Sequence, residues 1–267
     1  MTLLAGIDIG SGTSKCVLVD DAGTVRGRGL GRTKADFERV AREVLDLARA
    51  DAEATADDVA YIATTGLGRY AVPFRDIQIT DLTCGARGAA AEFASTRYVL
   101  DIGAQCSRAI KLREGGKVKE FHMNEKCAAG TGGFLERAAK YLEVGVGEIG
   151  PLSLGAGKPQ AISSVCAVLA ESEIINHVSE GVSVENILRG IHNSLADRAL
   201  SLLKRVGLDG EVTLIGGVAL QAGMVAALRD KLGVTVNVPT MPQYAAALGA
   251  ALLGRQRFRK LRTATAA

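Results

Sequence analysis

Leu3-Leu-Ala-Gly-Ile-Asp-Ile-Gly-Ser-Gly-Thr-Ser-Lys15 is the stretch of sequence that decides the fold. It is an apolar run broken by one carboxylate, Asp8, and it continues into small polar residues and then into the alternating segment Cys16-Val-Leu-Val-Asp20. Two apolar runs on either side of a short, glycine-rich segment are typical of a β-hairpin. We therefore predict a hairpin with a small, polar tip.

The same pattern returns 93 residues later without a gap. Asp101-Ile-Gly103 matches Asp8-Ile-Gly10, and Ser107-Arg108 matches Ser14-Lys15. Two unrelated hairpins are the alternative, but agreement at several positions in one register favours an internal duplication. We predict two similar domains that face each other. They comprise residues 1–98, with the C-terminal helix 243–267 packing back on them, and residues 99–242.

Strand and helix patterns alternate along the rest of the chain, which predicts the α/β class. Apolar residues at helical spacing predict helices near 37–48, 87–93, 132–142, 167–180, 184–206 and 224–232 and a last helix from 242. Strands are predicted at 24–30, 61–66, 211–215 and 234–238.

Composition narrows the function classes. Aromatic residues make up 4% of the 267 residues and Trp is absent, so the core must consist of Ala, Val, Leu and Ile. A net charge of +3 is too small to indicate nucleic-acid binding. The basic segment 255–262 is interpreted as the solvated end of a helix, where cations suit the dipole. Docking of an acidic partner is the alternative for that segment.

The sequence predicts neither a secretory signal nor a membrane span. The N-terminal residues lack the basic flank of a secretory signal. Residues 212–228 and 235–254 carry no charge, but Gly, Pro, Asn and Gln interrupt them, which predicts buried elements rather than membrane spans. We expect a cytoplasmic protein, where an odd count of five cysteines indicates free thiols or metal thiolates rather than disulfides.

Both hairpins carry what a nucleotide phosphate and its Mg²⁺ need, namely backbone N–H groups, small side chains, a hydroxyl or amide, and a carboxylate. In the first hairpin, we predict that Asp8 orients Mg²⁺, that Lys15 offsets charge and that the tip wraps the terminal phosphates through Gly10, Ser11, Gly12 and Thr13. In the second hairpin, Asp101, Gly103 and Gln105 are predicted to face the same point. The P-loop and dinucleotide fingerprints are both missing.

Further glycines are predicted to complete a site for ATP or ADP. Gly216 and Gly217 follow a buried strand, where a nucleoside can lie flat on bare backbone. The predicted nucleotide-binding set also includes Gly132 and Gln243.

Two cysteines lie where a strand passes into a helix. Cys127 precedes a glycine-rich turn within Asn124–Leu135, and Cys166 lies in Ser163-Ser-Val-Cys-Ala-Val-Leu-Ala-Glu171. A helix start offers unpaired N–H groups and the positive end of the dipole to an anionic metal–thiolate group. We predict that both are metal ligands, with ordinary buried thiols as the alternative. Cys16 and Cys84 are predicted to be structural.

These motifs resemble a known family, the two-domain ATPases of the actin, sugar kinase and heat-shock-chaperone (Hsp70) fold, with the nucleotide in the cleft between duplicated domains. More closely, the chain resembles the iron–sulfur ATPases that activate 2-hydroxyacyl-CoA dehydratases or serve benzoyl-CoA reductases. The segments that carry the resemblance are 6–11, 63–66, 101–103, 126–132, 163–173, 190–192, 213–219 and 247–252.

The resemblance implies an ATP-driven electron-transfer subunit. One [4Fe–4S] cluster would bridge two subunits, with Cys127 and Cys166 as this chain's ligands, and Asp8, Asp101 and Gln105 would position Mg²⁺ and the attacking water. The implied partners are a second ATPase subunit, a ferredoxin-like donor and a catalytic component that reduces an aromatic acyl-CoA.

Two departures from the family pattern are visible. Asp101-Ile-Gly-Ala-Gln-Cys106 lacks the second carboxylate of Asp-x-Gly-Gly-Gln-Asp, and Cys84-Gly-Ala86 replaces Cys-His-Ala. Both departures favour the smaller, delta-type subunit of a benzoyl-CoA reductase over a homodimeric dehydratase activator. A small-molecule kinase and a nucleotide-binding partner without hydrolysis remain alternatives. His122, His177 and His192 are expected to be structural, and Glu171 and Glu173 solvated or capping.

Overall fold

The computed structural model describes residues 1–124 and 130–265, and the chain forms two compact units. Unit 1 comprises Met1–Ser95, Arg113–Val118 and Tyr244–Ala267, and unit 2 comprises Thr96–Leu112 and Lys119–Gln243. Across the described ranges, no helix combines the length and the apolar character needed to cross a membrane.

The secondary structure alternates as an α/β chain should. The described strands are β1 (Leu3–Ile9), β2 (Thr13–Asp20), β3 (Val25–Arg32), β4 (Val59–Gly66), β5 (Ile77–Gln78), β6 (Tyr98–Ile102), β7 (Ser107–Arg113), β8 (Lys117–Asn124), β9 (Val212–Ile215) and β10 (Val236–Asn237). The described α-helices are α1 (Phe37–Asp51), α2 (Asp81–Glu92), α3 (Gly132–Tyr141), α4 (Ile149–Leu154), α5 (Ala167–Ser179), α6 (Val184–Arg205), α7 (Ala222–Leu232) and α8 (Ala245–Thr265).

The two sheets have the same strand arrangement. The first runs β3-β2-β1-β4-β5 and the second runs β8-β7-β6-β9-β10. In each sheet the hairpin strands pair antiparallel, and the first hairpin strand also pairs with a later parallel strand, β4 or β9. The hairpins share their register, since Asp8 faces Lys15 and Asp101 faces Arg108. The predicted duplication is therefore confirmed.

Unit 1 is built by close packing of helices on its sheet. Asp36 caps α1 by accepting a hydrogen bond from Arg39 N at 3.0 Å, which satisfies an N–H of the first turn. The buried face of α1 then packs on β3, where Gly29 lies so close to the helix backbone that any side chain would collide with Val44 O. The C-terminal helix α8 packs on β1 at Gly6, where the same limit applies.

Unit 2 has the larger apolar core, which β6 and β9 share with α3, α4, α5, α6 and α7. Its members are mostly Leu, Ile, Val and Ala, as the composition predicts, and Phe134 is the largest fully buried side chain among the described residues. The long helix α6 runs through this core and contributes apolar residues along its whole length. The core fixes the position of the second hairpin and of α3, which begins beside it.

The boundaries differ from the sequence prediction at several elements. Helix α2 begins at Asp81 rather than near 87, because Thr80 accepts a hydrogen bond from Thr83 N and so caps an earlier start. Helix α4 and the two-residue strand β5 were not predicted, since both are too short to show periodicity. Strand β10 is shorter than the predicted segment 234–238.

Candidate active site

The first hairpin has a tight tip. Gly10, Ser11 and Gly12 connect β1 to β2, which begins at Thr13. A Cβ added at Gly10 would lie 2.7 Å from Thr13 O and 3.5 Å from Lys15 Nζ. The space beside Gly10 is therefore lined by a carbonyl and an ammonium group, and only a residue without a side chain leaves it open.

A buried ion pair lies just below this tip. Asp8 is 8% exposed and Lys15 is 9% exposed, and Lys15 Nζ lies 3.5 Å from Asp8 Oδ2 and 3.2 Å from Thr13 O. Burying two charges costs desolvation free energy that a pair at this distance regains only in part. A carboxylate here suits a hard divalent cation, and the ammonium suits a phosphate. The residues present therefore fit Mg²⁺ and a nucleotide phosphate.

Strand β3 braces the first tip through one threonine. Thr33 follows β3 directly, and its Oγ1 donates to Gly10 O at 2.7 Å and lies 2.8 Å from Ser14 Oγ. Its backbone N–H donates to Gly12 O at 3.0 Å. Thr33 was not predicted from the sequence, since nothing in its local pattern marks a contact with a turn about 20 residues upstream.

The strand parallel to β1 ends in a glycine that contacts the carboxylate. Gly66 closes β4 with φ +84°, and a Cβ there would overlap Asp8 Oδ1 and Ile9 O. Only glycine adopts this conformation and leaves this space at low cost. The sequence marks Gly66 as a strand end within segment 63–66 of the family resemblance, but not as a contact of Asp8, because its spacing to Gly216 is not the 93-residue offset of the hairpins.

The second hairpin repeats this geometry with different side chains. Its tip, Gly103-Ala-Gln-Cys106, is closed by a hydrogen bond from Gly103 N to Cys106 O at 2.9 Å. Asp101 and Arg108 form the buried pair below it, with Arg108 Nη1 2.8 Å from Asp101 Oδ2. Gln105 is exposed at the tip, where its amide can meet a ligand.

The glycine pair after β9 is the counterpart of Gly66. Gly216 has φ +91°, and a Cβ there would lie 2.7 Å from Asp101 Oδ1. A Cβ at Gly217 would meet no described atom within 4 Å, so the backbone there faces open space. Gly216 N also donates to Pro242 O at 3.0 Å, which places the neighbouring Gln243 close to this pair.

Gln243 has the features of a ligand-binding residue. Its Oε1 is buried and has no hydrogen-bond partner among the described residues. A buried acceptor without a partner costs free energy, so such an atom favours a ligand that donates to it. The structure therefore brings together Asp101, Gly103, Gly216, Gly217 and Gln243 in unit 2.

Helix α3 begins on the second hairpin. Gly132 N donates to Gly103 O at 2.9 Å and Gly133 N donates to Ala104 O at 2.8 Å. Ser107 Oγ donates to Gly130 O in the same region. The predicted site residue Gly132 is thus held against the tip, five residues after Cys127 in the sequence. Cys127 itself lies outside the described residues.

Cys166 lies at the start of α5 in extended backbone. Its thiol is partly exposed, and the chain around it presents apolar side chains to solvent. Val165, Val168 and Leu169 are 77%, 68% and 53% exposed. Cys166 is the N-cap residue of α5, and the N–H groups and dipole of a first helical turn favour an anion nearby. The site fits one ligand position of an iron–sulfur cluster.

The helices that follow the two predicted cluster cysteines are joined by polar contacts. Arg137 Nε on α3 donates to Glu171 Oε1 on α5 at 2.7 Å, and Tyr141 OH donates to Glu171 Oε2 at 3.2 Å. Glu173 Oε2 accepts from Ser163 N at 2.5 Å and so fixes the approach to Cys166. The expectation that Glu171 is solvated or capping was wrong, because it pairs with α3 instead.

Cys16, Cys84 and His192 fit structural roles. Burial raises the pKa of the Cys84 thiol to about 12 and raises the pKa of the Cys16 thiol further, so neither provides a thiolate near neutral pH. His192 is fully buried with Nδ1 2.7 Å from Ser153 Oγ, and burial lowers its pKa to about 3. Over the described residues no group of three or more His, Cys, Asp or Glu side chains forms a metal site.

Known proteins are similar to this chain in sequence and architecture. The chain is 43% identical over 272 residues to a subunit of the benzoyl-CoA reductase of Thauera aromatica, covering 98% of this chain and 96% of that protein. It is 40% identical over 252 residues to the 2-hydroxyisocaproyl-CoA dehydratase activator of Clostridioides difficile, covering 92% of each.

Solved structures agree with this relationship. The activator of the 2-hydroxyisocaproyl-CoA dehydratase from Clostridium difficile with bound ADPNP matches with a TM-score of 0.94 at 37% identity, over 98% of this chain and 97% of that one. A glucokinase from Streptomyces griseus matches with a TM-score of 0.59 at 16% identity over 95% and 99% of the chains, which shows the fold alone. The predicted actin and sugar-kinase type of ATPase fold is confirmed. The model of the BadF/BadG/BcrA/BcrD ATPase family matches residues 5–254, and the chain belongs to that family.

Proposed function

We propose that this ATPase is an electron-transfer subunit that holds one [4Fe–4S] cluster together with a second ATPase subunit. The observation that carries the proposal is the placement of Cys166, a partly exposed thiol at a helix start surrounded by exposed Val165, Val168 and Leu169. Contiguous exposed apolar residues favour a protein partner. A cluster that needs two further thiolates gives that partner a chemical reason to bind there.

The nucleotide residues keep the roles that the sequence predicts. Asp8 and Asp101 hold Mg²⁺ or its waters, Gln105 orients the attacking water, and Lys15 balances phosphate charge. Gln243 accepts a hydrogen bond from the nucleotide through Oε1. The remaining residues bind the nucleotide through bare backbone and small side chains, and they are Gly10, Ser11, Gly12, Thr13, Gly103, Gly132, Gly216 and Gly217. In this proposal the first ATPase domain comprises residues 1–98 with 243–267 and the second comprises residues 99–242, and the compact units differ from these bounds at residues 96–98, 113–118 and 243.

Cys127 and Cys166 are the cluster ligands in this proposal. A bound [4Fe–4S] cluster supplies a one-electron carrier whose potential depends on hydrogen bonding and exposure. The start of α5 stabilises the anionic group through its N–H groups and dipole. Because thiolate ligands require a reducing compartment, we also propose that the protein is cytoplasmic.

Nucleotide and cluster are coupled through unit 2. ATP shifts an equilibrium only if it binds two arrangements with different affinity. The hydrogen bonds from Gly132 and Gly133 to the second tip, and the Arg137–Glu171 contact between α3 and α5, provide a path for such a shift. A rearranged tip would move the start of α3 and, through Glu171, the helix that begins at Cys166.

The partner complex is a benzoyl-CoA reductase in this proposal, with a ferredoxin-like donor and a catalytic component that reduces an aromatic acyl-CoA. Identity of 43% to the Thauera aromatica protein over nearly the full length supports it, as does the Ala-Gln-Cys tip, which lacks the second acid. A homodimeric dehydratase activator is the second candidate, because an activator structure superposes with a TM-score of 0.94.

Anaerobic purification followed by iron and sulfide analysis tests the proposal. Cys166→Ala and Cys127→Ala should each lower the cluster content by at least about tenfold, since each removes a thiolate. Cys106→Ala is the matched control and should retain the wild-type content. A stable wild-type complex that binds ATP without iron would refute the proposal and favour a small-molecule kinase.

A further inference from the structure

We propose that Arg108 is a phosphate-binding residue, the counterpart in the second hairpin of Lys15 in the first. This inference rests on the proposed nucleotide site and adds to it a residue that the sequence alone did not assign to the site. The cation lies one strand across from Asp101 and directly below the tip that Gly103 opens.

The duplication places Arg108 where Lys15 lies in the first hairpin. Asp8 and Lys15 face each other across β1 and β2, and Asp101 and Arg108 face each other across β6 and β7 in the same register. Both acids also lie against a glycine of positive φ that follows or ends a parallel strand. A position that matches Lys15 in register, partner and depth should meet the same kind of ligand.

Burial of the pair also points to a ligand. The side chains of Asp101 and Arg108 are 15% and 16% exposed, and Nη1 and Oδ2 are 2.8 Å apart. A largely buried ion pair is weak support for stability, because the desolvation cost offsets much of the Coulomb gain. A Mg²⁺–nucleotide presents a divalent cation and phosphate oxygens side by side, which is the arrangement that an adjacent carboxylate and guanidinium would bind together.

The chemistry of the arginine side chain allows both contacts at once. A guanidinium has five N–H donors in a fixed fork, so the bond to Asp101 does not by itself use up the donors with which Arg108 could meet phosphate oxygens. Lys15 offers three donors on one nitrogen and already donates to Thr13 O. Binding needs no change of protonation, since arginine stays charged throughout.

A double-mutant cycle with Asp101 tests the inference. Mg-ATP affinity is measured by calorimetry for the wild type, Arg108→Gln, Asp101→Asn and the double variant. Loss of a charge-assisted hydrogen bond predicts that R108Q weakens binding about 10- to 100-fold in both backgrounds. R108K, which keeps the charge, should restore most of the affinity. Arg113→Gln, at the exposed end of the same strand, is the matched control and should bind as the wild type does.

The outcomes separate this inference from the proposed function. If R108Q weakens binding in the wild type but not beside D101N, Arg108 acts only as the partner of Asp101 and the inference is refuted. Unchanged affinity in a folded R108Q variant refutes it as well. Should R108Q alone fail to fold, the difference in Mg-ATP affinity between D101N and the double variant still measures the contribution of Arg108, since both of these chains lack the acid. A wild type that binds no Mg-ATP would instead overturn the nucleotide site itself.

Discussion

The two hairpins share a scaffold but differ in what braces their tips. In unit 1 the brace is Thr33, which follows the neighbouring strand β3 and bonds to Gly10 and Gly12. In unit 2 the brace is the start of helix α3, where Gly132 and Gly133 bond to Gly103 and Ala104. One tip is therefore tied to its own sheet, while the other is tied to the helix that follows the Cys127 segment.

From this difference we propose separate tasks for the two hairpins. In the proposed function, a tip held within its own sheet would provide a fixed platform for phosphate, and a tip held by a helix start would pass its displacement along that helix. Cys166, one of the two cysteines that the sequence singles out, begins α5 in unit 2. Coupling between nucleotide and cluster is accordingly expected through the second hairpin.

The largest expected difference between the two units is in their loss of stability at acid pH. The folded pKa of His192 is lowered to about 3, and all three histidines lie in unit 2. Above a pH of about 6.5, the neutral imidazole of His192 makes its full contribution to stability. As the pH falls from about 6.5 toward 3, the unfolded imidazole takes a proton that the folded one does not, so stability falls by up to about 1.4 kcal/mol per pH unit.

Hydrogen exchange between about pH 7 and pH 4 measures this loss by unit. Amides of unit 2 should lose protection at higher pH than those of unit 1, and His192→Gln should reduce the pH dependence. His177→Gln is the control, because His177 is less buried than His192. An unchanged pH dependence in a folded H192Q variant would contradict the role of the buried imidazole.

Removing the two acidic side chains should have the next largest effect, on the rate of ATP hydrolysis. Asp8→Asn and Asp101→Asn each remove a carboxylate that the proposal gives to Mg²⁺, so kcat for ATP hydrolysis by the complex should fall about 100-fold, equivalent to about 2.7 kcal/mol. Steady-state ATPase assays at a series of Mg²⁺ concentrations measure kcat for both variants. If either variant keeps the wild-type rate, its hairpin does not hold the metal.

The glycines that contact these acids should show a smaller, matched effect. Gly66→Ala and Gly216→Ala introduce a side chain at positive φ and against a carboxylate oxygen, so each should lower the ATPase rate about tenfold and the stability by about 1.4 kcal/mol. Gly233→Ala, also at positive φ but with open space around it, is the control for backbone strain. Equal ATPase losses in all three would show that contact with the acid is irrelevant.

Substitutions at the two braces should change different properties of the protein. Gly133→Ala places a Cβ 2.8 Å from Ala104 O and should disturb the link between tip and helix. We expect ATP hydrolysis within about threefold of wild type, but no effect of Mg-ATP on the rate at which a thiol reagent labels Cys166 in cluster-free protein. Thr33→Val removes about 1 kcal/mol of hydrogen bonding from the first tip and should preserve the labelling response. The reverse pattern would contradict the assignment.

The repeated parts of the molecule could be predicted from the sequence better than the contacts between them. Both hairpins, the α/β class and most helices follow from local patterns, since neighbouring residues determine the hydrophobic period and the glycine turns. Thr33 and Gly66 escaped prediction because their roles come from strands that pair across the sheet. Glu171 was misassigned because its partner, Arg137, lies 34 residues away on another helix.

The most direct test of the central claim is EPR of the anaerobically reduced native complex with and without Mg-ATP. We predict a cluster signal that changes on nucleotide binding, disappears in Cys166→Ala and no longer responds to nucleotide in Gly133→Ala. A cluster signal that Mg-ATP leaves unchanged in a complex that hydrolyses ATP would contradict the claim that the second hairpin couples nucleotide to cluster.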